Sequence, residues 1–264
     1  MRILKNQKNV SRLMSFITDF WVPSVYKRVV KLDVVFTSEE YGEEFAKYLG
    51  IEHVLVDLGR ETYPVSGTKV RNNPFDYWDY IPDMVKPYFT KRIVVMGPES
   101  TGKSTLAKSL SDYYGGEYLE EYGRTYTSTW MKGRNLKKDS FYKIATKHDE
   151  QLLNKHAFTL DKHIFIDTEA ITTKLFGQLY LEGYEDERVD EIIQHQWFDL
   201  ILLLDIDVPW VDDGTRDFPN DRQRHFDMIK AELDRLGRKY VVIQGNYEER
   251  FDAAKKEVEK LGYL

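Results

Sequence analysis

The sequence contains no cysteine, which excludes disulfides, thiolate-ligated zinc, iron–sulfur clusters and thiol nucleophiles together. Histidine is scarce, with six residues in 264, and none falls in an HExxH or other metal-ligand spacing. No hydrophobic run approaches bilayer length. The longest aliphatic stretch is Leu200–Leu204, against about 20 residues for a spanning helix. Near the N-terminus Lys5, Lys8 and Arg12 precede an apolar run from Leu13, but Asp19 interrupts it and no small-residue cleavage site follows. Positive charge is not in excess: 38 Lys and Arg stand against 44 Asp and Glu, a net charge of −6. That argues against a general nucleic-acid binder, which must neutralise phosphates. The expectation is a soluble, cytoplasmic chain with no membrane and no nucleic-acid partner. The 42% hydrophobic and 14% aromatic content is enough for a packed core. The length allows one large or two small domains.

Strand-like runs alternate with helical patterns, which predicts an α/β fold with parallel sheets. In the first third, Leu32–Phe36 and His53–Val56 read as short strands around a helix over 40–49 that Gly50 closes. A second series reads as strands at Arg92–Met96, Glu117–Glu121, His163–Asp167, Phe198–Asp205 and Lys239–Ile243. Helices fill the gaps over 103–114, 139–158, 170–195, 221–236 and 247–261. Five strands with intervening helices make one complete doubly wound sheet, whereas the earlier piece has only two. The segment 72–91, with Pro74, Pro82, Pro87 and many aromatics, reads as a connector. The domain boundary is therefore placed near residue 91, giving domains 1–91 and 92–264. The first carries a net charge of +1 and the second −7.

The strongest signal is Gly97-Pro-Glu99-Ser100-Thr101-Gly102-Lys103-Ser104-Thr105, a G-x-x-x-x-G-K-[ST] loop between a strand and a helix. Its glycines permit a tight loop whose amides face an anion at a helix N-terminus. Lys103 is expected to reach the β- and γ-phosphates of ATP, and the Ser104 hydroxyl to coordinate Mg²⁺. In a doubly wound sheet, ligands bind at the carboxyl ends of the strands. Two strand ends carry acids there: Glu120-Glu121-Tyr122-Gly-Arg124 and Asp167-Thr168. Asp167 reads as the metal-side carboxylate, or else as a cap for the following helix. Glu121 reads as the group holding or deprotonating an acceptor hydroxyl. Glu120 and Glu121 are otherwise surface acids. After the fourth strand, Pro209-Trp210-Val-Asp212-Asp213-Gly-Thr-Arg216 through Arg222 and Arg224 reads as a lid whose arginine, Arg216 first, neutralises the transferring phosphoryl and excludes water. A solvated turn with loose ion pairs is the alternative.

Taken together, the ordered blocks Val65-Ser66-Gly67-Thr68-Lys-Val-Arg71, Asn73-Pro74, Tyr77-Trp78, the Gly97 loop, Glu121-Tyr-Gly-Arg124, Asp167-Thr168 with Thr172-Thr173, and Pro209-Trp-Val with Asp213-Gly-Thr-Arg216 resemble one family. It is that of the NadR-type ribosylnicotinamide kinases fused to a nicotinamide mononucleotide (NMN) adenylyltransferase. The resemblance runs over roughly residues 30–264. It implies a P-loop kinase domain preceded by a partial Rossmann-like nucleotidyltransferase domain. It also implies phosphorylation of the 5′-hydroxyl of nicotinamide riboside by ATP and Mg²⁺, giving NMN. In that picture Glu121, Tyr122, Arg124, Trp210 and Asp213 face the nucleoside.

The Gly-x-Phe-x-Pro-x-His-x-Gly-His signature of the adenylyltransferase half is missing, so the chain is expected to begin inside that domain and not to transfer adenylate. Ser66, Gly67, Thr68 and Arg71 remain as a residual phosphate motif, while His53 stands alone in a strand. The residues before 30 are too few for the helix-turn-helix of enteric relatives, and their basic residues read as a solvated face. A kinase or ATPase for another nucleoside, and a nucleotide-binding sensor with little turnover, are the alternative functions. Oligomeric state is not legible.

Overall fold

The computed structural model describes residues 32–131, 135–211, 218 and 220–262. The basic stretch from Lys5 to Lys31, and the lid residues Asp213 and Arg216, lie outside the described residues. The chain divides into two compact units between Ser66 and Gly67.

In the first unit, β1 (Val34–Thr37) and β2 (Glu52–Leu55) pair in parallel around α1 (Gly42–Leu49). Gly50 ends α1 at φ 68°, its amide donating to the Ala46 and Lys47 carbonyls. This left-handed cap is the role a terminal glycine performs without strain. His53 lies on β2 with its Nε2 2.8 Å from Thr37 Oγ1, a local structural contact.

The second unit opens with α2 (Gly67–Asn72), two short 3₁₀ turns and α3 (Lys86–Phe89). The expected connector is thus part of this unit, and the division falls well before residue 91. Trp78 and Ile81 are buried. The Trp78 indole donates to the Leu160 carbonyl at 2.9 Å, and Thr90 Oγ1 to that of Asp161 at 2.8 Å. Proline and aromatic density marks irregular backbone here, but that backbone is anchored by buried side chains.

Next come β3 (Lys91–Met96), α4 (Lys103–Tyr114), β4 (Glu117–Leu119), α5 (Tyr122–Tyr126), α6 (Lys138–Phe158) and β5 (His163–Asp167). They are followed by α7 (Ala170–Tyr180), α8 (Glu187–His195), β6 (Leu200–Leu204), α9 (Arg222–Arg235), β7 (Val241–Ile243) and α10 (Tyr247–Glu259). The five strands are all parallel in the order β4-β5-β3-β6-β7. Because helices cover both faces, the central strands are apolar over Ile93–Met96, Ile164–Ile166 and Leu200–Leu204. Val94, Met96, Ile164 and Ile166 face one core, while Ile93, Val95, Phe165 and Leu202 face the other. The order reverses at β3, whose two neighbours are reached by separate crossovers, and this opens a crevice at its carboxyl end.

The single helix expected over 170–195 is two helices. Gly183 turns the chain at φ 67° between them, and the Asp186 side chain caps α8 by accepting from Arg188 N. Tyr184 fills the break. It is buried against Phe141, and a Cβ on Gly177 would come within 2.5 Å of its ring. Among the described residues no helix is long and apolar enough to cross a membrane.

Candidate active site

The loop between β3 and α4 has backbone angles that few side chains tolerate: Gly97 at φ 150°, Ser100 at 57° and Gly102 at 86°. At Gly97 a Cβ would lie 3.0 Å from the Leu204 carbonyl, so the backbone approach itself requires glycine. The loop is also braced from within. Pro98 O accepts from Thr101 Oγ1 and from Lys103 Nζ, each at 2.9 Å. The loop runs straight into the N-terminus of α4, where backbone amides can bind an anion.

β3 and β5 run in register with Val95 opposite Asp167, which sets Asp167 beside the start of this loop. Asp167 is buried, and its Oδ1 has no hydrogen-bond partner among the described residues. Burial raises its pKa above the ordinary aspartate range. Lys103 opposes this most strongly, followed by the Ser104 hydroxyl, Arg124 and the Tyr118 phenol. Glu121, just past β4, is pushed up by burial first and by the Asp167 charge second, with Lys103 and Arg124 opposing. Two like charges in one desolvated site favour retention of a proton between them. The alternative that Asp167 caps a helix is not what is observed, since Glu169 caps α7, accepting from Thr172 N at 2.8 Å and from Ile171 N. Glu120 is exposed, whereas Glu121 is half-buried. Thr168, directly after Asp167, is held at φ 66°, a strained conformation for a β-branched residue of the kind that clusters at functional sites.

A cavity of about 260 Å³ joins Glu99 through Thr105 to Glu121, Gly123 and Arg124. Thus Glu99, Ser100, Thr101, Gly102, Lys103, Ser104 and Thr105 share one space with the expected acceptor-side acid. Its opposite wall is Thr127, Leu136, Phe141, Ile144, Thr173, Phe176 and Tyr180. Apart from Thr173, which belongs to the Thr172-Thr173 block, those residues carry no local motif, and only the aromatic spacing along α6 and α7 hints at them. Two expected nucleoside contacts are placed elsewhere. Tyr122 lines a separate surface groove with Tyr126, Trp130 and Tyr142, because successive residues of a short helix point to different sides. Trp210 is not among the cavity's lining residues, and its indole Nε1 is buried without a partner among the described residues.

The segment after β6 does meet the phosphate loop. Val211 N donates to Ser100 Oγ at 2.8 Å, Phe218 N to Glu99 Oε2 at 3.1 Å, and Arg222 Nη1 to the Val208 carbonyl at 2.9 Å. Behind Phe176 sits His225, fully buried and edge-on at 4.7 Å. Burial and the nearby Lys103 hold its pKa down to about 3, so it is neutral. Of the residual motif, Ser66 ends the first unit, while Gly67, Thr68 and Arg71 belong to the short α2, where the Arg71 guanidinium folds back over Gly67.

The donors near the loop are hard oxygens, the Ser104 hydroxyl and the unpartnered Asp167 Oδ1. No group of three or more His, Cys, Asp or Glu that could hold a metal gathers among the described residues. One carboxylate and one hydroxyl suit a Mg²⁺ that retains water and shares phosphate ligands.

This sheet order, phosphate loop and strand-end carboxylate define a P-loop nucleotide-binding fold. A family model described as an AAA domain matches residues 92–250, and the chain belongs to that family. Its sequence relatives are narrower in kind. It is 35% identical over 243 residues to the trifunctional NAD biosynthesis/regulator protein NadR of Escherichia coli (strain K12), and 37% identical over 223 residues to that of Salmonella typhimurium (strain LT2). These matches cover 88% and 82% of this chain but only 59% and 54% of the relatives' lengths. Among solved structures, NadR in complex with NR superposes with a TM-score of 0.71 at 24% identity, over 93% of this chain and 73% of that one. NadR in complex with NAD and AMP-PNP gives 0.67 at 24%, over 87% and 66%. The NadR resemblance read from the ordered motifs is borne out.

Proposed function

We propose that this chain is a ribosylnicotinamide kinase, transferring the γ-phosphoryl of ATP to the 5′-hydroxyl of nicotinamide riboside to give NMN and ADP. The observation that carries this reading is the cavity in which Lys103 of the phosphate loop meets Glu121, a carboxylate whose proton affinity is raised by burial and by the charge of Asp167. The substrate assignment rests on the NadR relatives and on the NR bound in one of them.

The residues divide the work by position. The loop amides and Lys103 hold the β- and γ-phosphates, and Ser104 with Asp167 Oδ1 would hold Mg²⁺, which neutralises phosphate charge when bound. Glu121 orients the riboside hydroxyl and accepts its proton as the new O–P bond forms and the β–γ bridging bond breaks, releasing ADP. Its raised pKa brings it closer to the strength a base needs near neutrality. Arg124 balances charge at the cavity rim, and the Phe141, Phe176 and Tyr180 wall excludes water. Arg216 of the loop after β6 is assigned the transition-state charge, with Asp213 on the nucleoside side.

The test is incubation with ATP, Mg²⁺ and a nucleoside panel, with mass detection of products. NMN and ADP in equal amounts, dependent on nicotinamide riboside, are expected. Preference for another nucleoside, or ATP binding without riboside-dependent ADP release, would overturn the assignment.

A further inference from the structure

We infer that Arg250 is a positioning residue that holds the phosphate loop in its anion-binding shape, acting from outside the cavity. The inference rests on the kinase reading only for its turnover readout. Arg250 lies on the first turns of α10 and is 1% exposed, an environment a cation occupies only when fully paired. Its guanidinium serves three separate segments. Nη1 donates to the Thr101 carbonyl of the phosphate loop. Nη2 donates to the Asp205 carbonyl at 2.9 Å and pairs with the Asp207 carboxylate, both at the exit of β6. Nε donates to the Gly245 carbonyl at 2.8 Å, at the exit of β7.

A buried Arg–Asp pair could serve merely to staple a helix, a role that apolar residues fill as well or better. The acceptor on the loop argues for more. Amides point into a phosphate cradle only while the intervening carbonyls are held away from it. Inside the loop, Thr101 Oγ1 and Lys103 Nζ fix the Pro98 carbonyl. For Thr101 O the donor comes from Arg250, 149 residues away in sequence. The backbone on either side is at the positive φ values of Ser100 and Gly102, and such conformations persist only when their surroundings over-determine them. The same helix makes a second contact. Tyr247 packs so closely on Gly102 that a Cβ there would lie 2.9 Å from its ring. Thus α10 grips two consecutive loop residues, and Arg250 ties that grip to two strand ends.

The experiment compares Arg250→Lys, Arg250→Met and Asp207→Asn with the wild type. It uses calorimetric binding of ATP·Mg²⁺ without riboside, steady-state kinetics on both substrates, and thermal unfolding. Lysine keeps the charge but cannot reach all four acceptors. Arg250→Lys is expected to fold, to weaken ATP binding about tenfold and to cut kcat about 100-fold through loop misplacement. Its riboside KM should stay within about twofold of wild type. Arg250→Met should be worse on the same side. If it fails to fold, Asp207→Asn decides. That variant keeps the three carbonyl bonds and should show a smaller loss, again confined to ATP. A lowered melting temperature with ATP affinity and kcat of the folded protein within about twofold of wild type would reduce Arg250 to a staple and overturn the inference. So would a riboside KM that moves as much as the ATP affinity. Because ATP binding is read without riboside, failure of the kinase assignment leaves this outcome separately legible.

Discussion

Replacing Lys103 by methionine keeps an unbranched apolar stem, one atom shorter, and removes the ammonium with its charge and donors, so its consequences can be worked in two currencies, folding and turnover. For folding, the direct loss is one hydrogen bond at the Pro98 carbonyl, which still accepts from Thr101 Oγ1, a cost of about 1 kcal/mol. The larger effect is indirect, because Lys103 is the leading cation opposing the raised pKa of both Asp167 and Glu121. A carboxylate whose folded pKa is raised binds its proton more tightly folded than unfolded. Its ionisation therefore costs stability as pH rises through the window between the two values. Without Lys103 that window extends upward, so the variant's deficit should be small near about pH 5 and larger at neutrality. For turnover, the loss of one pre-organised charge at the transferring phosphoryl corresponds to about 10²–10³-fold, or about 3–4 kcal/mol. Riboside-dependent ADP release measures the second quantity, and urea unfolding at the two pH values the first. Retention of more than about a tenth of wild-type turnover, or a stability deficit identical at both pH values, would refute the reasoning.

Asp167→Asn should alter the Mg²⁺ dependence and cut turnover with riboside binding intact, whereas Glu121→Gln should weaken riboside binding and turnover with ATP·Mg²⁺ binding unchanged. Calorimetry with each ligand separates the two, and normal riboside binding and turnover by Glu121→Gln would remove it from the acceptor role. Gly97→Ala forces a Cβ to 3.0 Å from the Leu204 carbonyl and is expected to weaken ATP binding about tenfold or more. Gly115→Ala, also at positive φ but facing open space, should lose only about 1 kcal/mol of stability and no ATP affinity, and equal losses at both glycines would contradict the argument. His163 is buried among Phe75, Tyr114 and Phe165 with Nδ1 unpartnered among the described residues, and burial holds its pKa down to about 4. A lowered histidine pKa means stability is lost as pH falls below about 6.5, so His163→Phe should gain about 2 kcal/mol on wild type between neutrality and about pH 5. Denaturation curves showing a pH-independent gap would refute this.

Some of the architecture was legible because its causes are local. The apolar run of β3, the glycines at 97 and 102 and the helix over Lys103–Tyr114 depend on neighbours in sequence, and they appear where the periodicity predicts them. The same is true of Gly50 as a left-handed cap. Other features were misjudged because composition is blind to what a residue touches. The proline- and aromatic-rich stretch before β3 read as a connector, yet Trp78 and Ile81 bury it in the second unit. The pattern over 170–195 read as continuous, yet Tyr184 packed on Gly177 and Gly183 at positive φ divide it.

By itself the sequence determined the phosphate loop, the parallel α/β plan and the pool of acids from which a site could be built, since each is set by spacing within a few residues. Choosing among those acids required the tertiary structure. Glu120 and Glu121 are adjacent and chemically alike, and only the position of β4 beside β5 leaves one exposed and brings the other against Asp167 and Lys103. Tyr122 was set apart from the cavity, and Phe176 and Tyr180 brought to it, by helix orientation that no motif encodes. Arg250 carried no signal at all. Its acceptors at Thr101, Asp205 and Gly245 come together only when three strand ends lie side by side, and a buried cation takes its meaning from the partners that surround it.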